Sequence, residues 1–191
     1  ASMCLLDQLE EKGLLGCNQT TIHCSGAYTD LLPSEGFNSD KPKAKDLWTY
    51  GMAQLFSTVS PSMHEEFEFP YAEKWFQRFG LGYYGCCEPL HNRMDWVRKI
   101  PNLRKISMSP WVNVNIGAEQ IGKDFVFSRK PNPAFVAENN FNPEESLKDM
   151  KQVIEACKRY GCPLEFILKD LSTVKYQPQR LWEWAEKAMQ L

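Results

Sequence analysis

Tyr83-Tyr84-Gly85-Cys86-Cys87-Glu88-Pro89 closes an apolar, strand-like stretch with two thiols and a carboxylate, at the point where the chain must turn toward a helix. In α/β folds that point, beyond the carboxyl end of a strand, is where chemistry gathers. Side chains alternate along an extended strand, so Tyr84, Cys86 and Glu88 are expected on one face and Tyr83 and Cys87 on the other. At most one of the two thiols then faces a site directly.

Outward from this run the pattern is rhythmic. Apolar strands are expected near residues 81–86, 103–108, 124–128 and 164–168, each followed by a helical pattern. The clearest helix opens at Asn142-Pro143-Glu144-Glu145, carries Leu147, Met150, Val153, Ile154 and Cys157 on one stripe, and stops at Gly161. The last runs from about Pro178 to Met189 with Leu181, Trp182, Trp184, Ala185 and Ala188 apolar. Upstream, a short helix is expected over Cys4 to Leu15, a strand at about Thr20 to Cys24, and a connecting loop over Ser25 to Lys45. Two helical blocks follow. One covers Asp46 to Phe56; the other starts at Ser60-Pro61 or at the capping box Ser62-Met63-His64-Glu65, and Pro70 is expected to kink or split it.

Five strands alternating with helices imply an α/β fold with parallel pairing. A closed (β/α)8 barrel needs eight strands and about 250 residues. The expectation is therefore a partial TIM-barrel-like (β/α) repeat with about five parallel strands, either an open sheet or the C-terminal part of a barrel. Its open edges call for cover, which predicts a homo-oligomer or a missing N-terminal barrel half. Residues 3–191 read as a single domain, and Ala1-Ser2 ahead of Met3 reads as an expression remnant set aside from the fold.

The composition narrows the function. The chain has 191 residues, 43% hydrophobic and 13% aromatic, enough for a sizeable core. Its net charge of −2, from 22 basic and 24 acidic residues, argues against nucleic acid and anionic membranes as partners. No apolar run is long enough to span a bilayer. Seven cysteines, an odd number, without a signal-peptide core favour a reducing cytoplasm over a disulfide framework.

Several side chains stand out as site candidates. Cys86 with Glu88 suits a metal, with His23, Cys24 and Cys87 as alternates and Asp170 as a further donor, because zinc accepts thiolate, imidazole and carboxylate. The bland reading is that these are packed or hydrogen-bonded groups. Arg129 and Lys130, with Asn132 in the proline-stiffened loop behind them, suit an anionic substrate; a surface ion pair explains them equally. Lys169-Asp170 abuts the apolar Phe166-Ile167-Leu168, so it needs either a function or an internal salt bridge. His91 follows the Cys86 strand end, Trp111 is placed to wall a pocket, and His64 reads as a solvated first-turn residue.

Five strings resemble the C-terminal half of the uroporphyrinogen decarboxylase family, in its uncharacterised methyltransferase-like branch. They are Val59-Ser60-Pro61-Ser62-Met63-His64-Glu65-Glu66-Phe67, Tyr83 to Leu90, Ile100-Pro101-Asn102-Leu103-Arg104-Lys105-Ile106-Ser107, Ser128-Arg129-Lys130-Pro131-Asn132-Pro133-Ala134 and Lys169-Asp170-Leu171-Ser172-Thr173-Val174. The resemblance implies a TIM barrel. It also implies methyl transfer on a small molecule, with zinc as cofactor and a corrinoid carried on a partner protein. In those methyltransferases a His-x-Cys pair ends one strand and a Cys ends the last. Here Tyr84-Gly85-Cys86 stands in the first place and Lys169-Asp170, taken as catalytic, in the second, so one of three ligands is kept in kind. The alternatives are a non-catalytic assembly half that needs a barrel complement, and a uroporphyrinogen-type carboxy-lyase, whose substrate grips belong to an N-terminal half not found here.

Overall fold

The computed structural model describes residues 1–191, which divide into two compact units: Ala1–Glu88 with Asn92–Ile106, and Pro89–His91 with Ser107–Leu191. In the first unit, helix α1 (Ser2–Glu11) precedes a small antiparallel hairpin, β1 (Thr21–Ile22) and β2 (Ser25–Gly26). Strand β3 (Trp48–Gly51), helix α2 (Pro61–Phe76), strand β4 (Leu81–Tyr84), the one-turn helix α3 (Met94–Val97) and the start of β5 (Leu103–Met108) follow. The second unit takes the end of β5, then α4 (Val114–Ile121), β6 (Val126–Arg129), α5 (Ala134–Ala137), α6 (Pro143–Tyr160), β7 (Leu164–Phe166) and α7 (Gln179–Met189). The strands run in the sheet order β3-β4-β5-β6-β7, and the pairs β3–β4, β4–β5 and β6–β7 are parallel. This is a mixed α/β protein built on a five-stranded sheet. No helix is long and apolar enough to cross a membrane.

The expected number of strands is met with a different first member. Thr20 to Cys24 belongs to the separate hairpin, and the sheet instead begins at Trp48–Gly51, inside the stretch read as a helical block. Trp48-Thr49-Tyr50 is aromatic and β-branched, a composition that favours a strand once a neighbour is available; Trp48 to Gly51 lies in register with Leu81 to Tyr84. As an edge strand, β3 is partly capped by one side chain: the Gln19 amide accepts from Trp48 N (2.8 Å) and donates to Trp48 O (3.1 Å). Gly51 and Gly82 are adjacent to the buried ring of Phe76, which a Cβ at either position would meet. The sheet thus lets helix α2 lie close against it.

Local signals fix the helix starts. Ser60, not Ser62, caps α2, accepting from Met63 N at 3.2 Å, and the helix runs unbroken through Pro70 to Phe76 rather than splitting there. Asn142 caps α6, and Gly161 ends it at φ +72, as expected. Ser2 opens α1, and Ala1 O accepts from Leu5 N. On α7 the apolar stripe buries Trp184, whose Nε1 donates to Ser146 Oγ at 2.8 Å, while Leu181 and Trp182 face solvent. Arg180 occupies the buried side instead and donates to the carbonyls of Val136, Glu138 and Asn139.

Candidate functional site

Strand β4 stops at Tyr84, and Gly85 turns the chain with φ +96, a conformation that suits glycine. The two-fold alternation ends there, so the thiols do not point apart. Cys86 Sγ and Cys87 Sγ approach to 3.6 Å without a disulfide between them. Glu88 folds back so that its Oε2 accepts from Cys86 N at 2.9 Å; the residue is completely buried, and its Oε1 has no hydrogen-bond partner. His23 reaches this corner from the turn joining β1 and β2, where its φ of +55 is uncommon for a residue with a side chain. Its Nε2 lies 3.3 Å from Cys86 Sγ, and its ring stacks on Tyr50 and tilts against Tyr83. Cys24, next in the same turn, is half-buried. No three His, Cys, Asp or Glu side chains are arranged to hold an ion. Cys157 is a poor competitor as a reactive thiol, because burial, with Cys162 beside it, pushes it up to about 12.

The remaining candidates belong to the second unit. Arg129 is buried, donates to Ser109 O (2.7 Å) and forks onto both oxygens of Asp149 (2.9 and 3.1 Å). The internal ion pair is therefore the arrangement present, rather than a surface one. Lys130 is equally buried and donates to Ser107 Oγ at 2.7 Å. Asn132 Oδ1 accepts from Ala134 N at 3.0 Å and borders a cavity of about 280 Å³ that also reaches Glu138 and Ser172. Lys169 and Asp170 pair with each other at 3.3 Å, with Asp170 largely exposed. Trp111 is 71% exposed and His91 half-buried.

A second cluster in the first unit escaped the sequence reading. His64 is fully buried instead of solvated, with its ring edge-on to Trp96. Arg93 Nε donates to His64 Nδ1 at 2.9 Å, which fixes the proton on Nε2, directed at Tyr84 Oη 3.4 Å away. Tyr84 in turn hydrogen-bonds Glu68. Burial lowers His64 to about 4, with the Arg93 charge adding to it, and burial raises Glu68 from 4.5 to about 7, with Glu88 adding and Tyr84 opposing. Burial also raises Tyr84, which stays protonated. The one local signal is that His64 and Glu68 stand four residues apart on one helix face; nothing in the polar surroundings of Arg93 sets it apart.

These two shifts act on stability in opposite directions. Folded Glu68 holds its proton above the pH at which the unfolded chain releases it, so its contribution is full below about 4.5 and lost as the pH rises through about 7. Folded His64 refuses a proton the unfolded chain accepts, so its contribution is full above about 6.5 and lost as the pH falls through about 4. Between those limits the two slopes offset each other. Glu68→Gln should unmask a melting temperature that rises with pH from 4 to 6.5, relative to the parent, and His64→Asn one that falls; each slope is worth about 2 kcal/mol after allowing for the partial exposure of Glu68. Parallel profiles for the parent and both variants would contradict the assignment.

Comparison with known protein families, with characterised proteins and with solved structures yields no match.

Proposed function

We propose that the chain forms part of a TIM-barrel-like enzyme of the uroporphyrinogen decarboxylase superfamily that transfers a methyl group between small molecules, with Cys86 at its centre. The observation that carries this reading is the approach of His23 Nε2 to 3.3 Å from Cys86 Sγ, across 63 residues of sequence. Zinc–sulfur and zinc–nitrogen bonds are about 2.3 and 2.0–2.1 Å, so donors sharing a tetrahedral zinc stand roughly 3.5–3.8 Å apart. The His23–Cys86 and Cys86–Cys87 separations are close to that range, and the unpartnered Oε1 of Glu88 supplies a further donor of suitable kind. Cys86, His23 and either Cys87 or Glu88 would hold the ion after a side-chain rotation. Zinc there would lower the pKa of a thiol acceptor filling its open position, and a corrinoid on a partner protein fits as methyl donor. The rest is the work of the chain: Tyr50 and Tyr83 hold the imidazole in its plane, and the Gly85 turn with the Glu88 carboxylate sets the direction of Cys86.

Metal analysis of the purified protein tests this. One zinc per chain is expected in the parent and a marked loss in Cys86→Ser and His23→Ala, with no loss in the exposed-thiol control Cys17→Ser. Substituted cobalt should show a thiolate charge-transfer band that loses at least about half its intensity in Cys86→Ser. Equal metal content in all four proteins, or none in any with Cys86 freely titratable, removes the reading.

A further inference from the structure

A cavity of about 460 Å³ opens in the first unit between the segment around Cys17 to Gln19, the loop from Ala27 to Phe37, and the start of β3. That volume suits a small organic molecule. Its wall brings together three aromatic rings, Tyr28, Phe37 and Trp48, and two carboxylates, Asp30 and Asp46, with no Lys, Arg or His among the lining residues. It contains neither Cys86 nor His23.

Three features distinguish it from an ordinary solvated groove. Asp46 is 6% exposed, and its oxygens accept from Ser34 N (3.3 Å) and Lys43 N (3.0 Å), two backbone donors that bring no neutralising cation. A carboxylate so placed gains from a positive charge alongside. Trp48 is 4% exposed, yet its Nε1 has no acceptor. Finally, Tyr28 leaves 81% of its surface exposed at the cavity wall, where most of a ring's area is available to a ligand. The Trp48 ring already accepts one cation, since Lys105 Nζ lies 5.6 Å from its centroid. That leaves the Tyr28 and Phe37 rings, with the two carboxylates, and aromatic faces beside carboxylates are the chemistry that recognises an organic ammonium ion.

We propose that this cavity binds a small organic ammonium cation of quaternary type, held by the aromatic walls and the Asp30 and Asp46 carboxylates. The proposal is independent of the thiol site, because it rests on different residues and needs no metal.

Calorimetric titration of the whole chain with choline, set against its uncharged carbon isostere 3,3-dimethylbutan-1-ol, is the test. Choline is expected to bind saturably and at least about tenfold tighter than the isostere, the ratio that about 1.4 kcal/mol of cation recognition gives. At exposed positions that leave the fold in place, Asp30→Asn should weaken choline several-fold while leaving the isostere unchanged, and Tyr28→Ala should weaken choline several-fold more than the isostere. Cys86→Ser should not alter choline binding, which separates this result from the fate of the thiol site. Absence of choline binding, equal binding of cation and isostere, or indifference to both variants overturns the proposal.

Discussion

Arg93→Ala is expected to destabilise the first unit by about 3–5 kcal/mol, enough to lower the melting temperature by on the order of 10 °C. The loss follows from the acceptors that Arg93 satisfies. Arg93 is 3% exposed and donates from Nε to His64 Nδ1 (2.9 Å), from Nη1 to Asn92 Oδ1 (2.7 Å), and from Nη2 to the carbonyls of Phe56 (3.3 Å), Ser57 (3.1 Å) and Val59 (3.0 Å). Those three carbonyls belong to the segment that delivers the chain from β3 into α2. Truncation leaves several acceptors without a donor, each costing about 1–3 kcal/mol where water cannot reach, and opens a void beneath them. Arg93→Lys keeps the charge but not the planar fork, so it should recover less than half of the loss. Urea unfolding gives the energy, and hydrogen exchange over residues 54–66 should show protection falling there first. A variant that melts within about 2 °C of the parent would show that the guanidinium is replaceable by solvent.

Where hydrogen-bond partners lie also explains which parts of the molecule could be read beforehand. Helix α6 was legible because its signals are local: Asn142, Pro143, Glu144 and Gly161 satisfy the helix ends wherever the helix lies. Strand β3 was not, because four residues carry too little periodicity to separate strand from helix, and only pairing with Leu81 to Tyr84 settles the matter. At Cys86 to Glu88 the residues were identified and their directions were not. Alternation holds only while the backbone stays extended, and Gly85 ends it. The Arg93, His64 and Tyr84 network joins residues up to 37 positions apart, so no spacing rule announces it. Likewise the bidentate partner of Arg129 lies 20 residues downstream on a helix whose pattern alone marks Asp149 as a solvated polar position.

That last pair gives the second large effect, and its size depends on which member is removed. Arg129 keeps only 3% of its side chain exposed, while Asp149 keeps 24%. If Arg129→Met removes the guanidinium, Asp149 can turn toward water, and the loss is confined to the fork and the bond to Ser109 O, about 2 kcal/mol. If Asp149→Ala removes the carboxylate, a guanidinium with almost no access to solvent is left without its counter-charge, and the loss should reach about 3–5 kcal/mol. The double variant Arg129→Met with Asp149→Ala should therefore be more stable than Asp149→Ala alone, a sign reversal that a purely additive pair cannot give. The same experiment tests whether Arg129 is fitted to an anionic substrate. In Asp149→Ala a carboxylate or phosphate able to reach the vacated position should restore melting temperature in a saturable manner, because a ligand that binds only the folded form stabilises it by mass action. Restoration by acetate but not by chloride at matched ionic strength would mark the guanidinium as reachable by an anion. Equal response to both salts would confine Arg129 to joining β6 to α6 and leave the binding of any substrate anion to other groups.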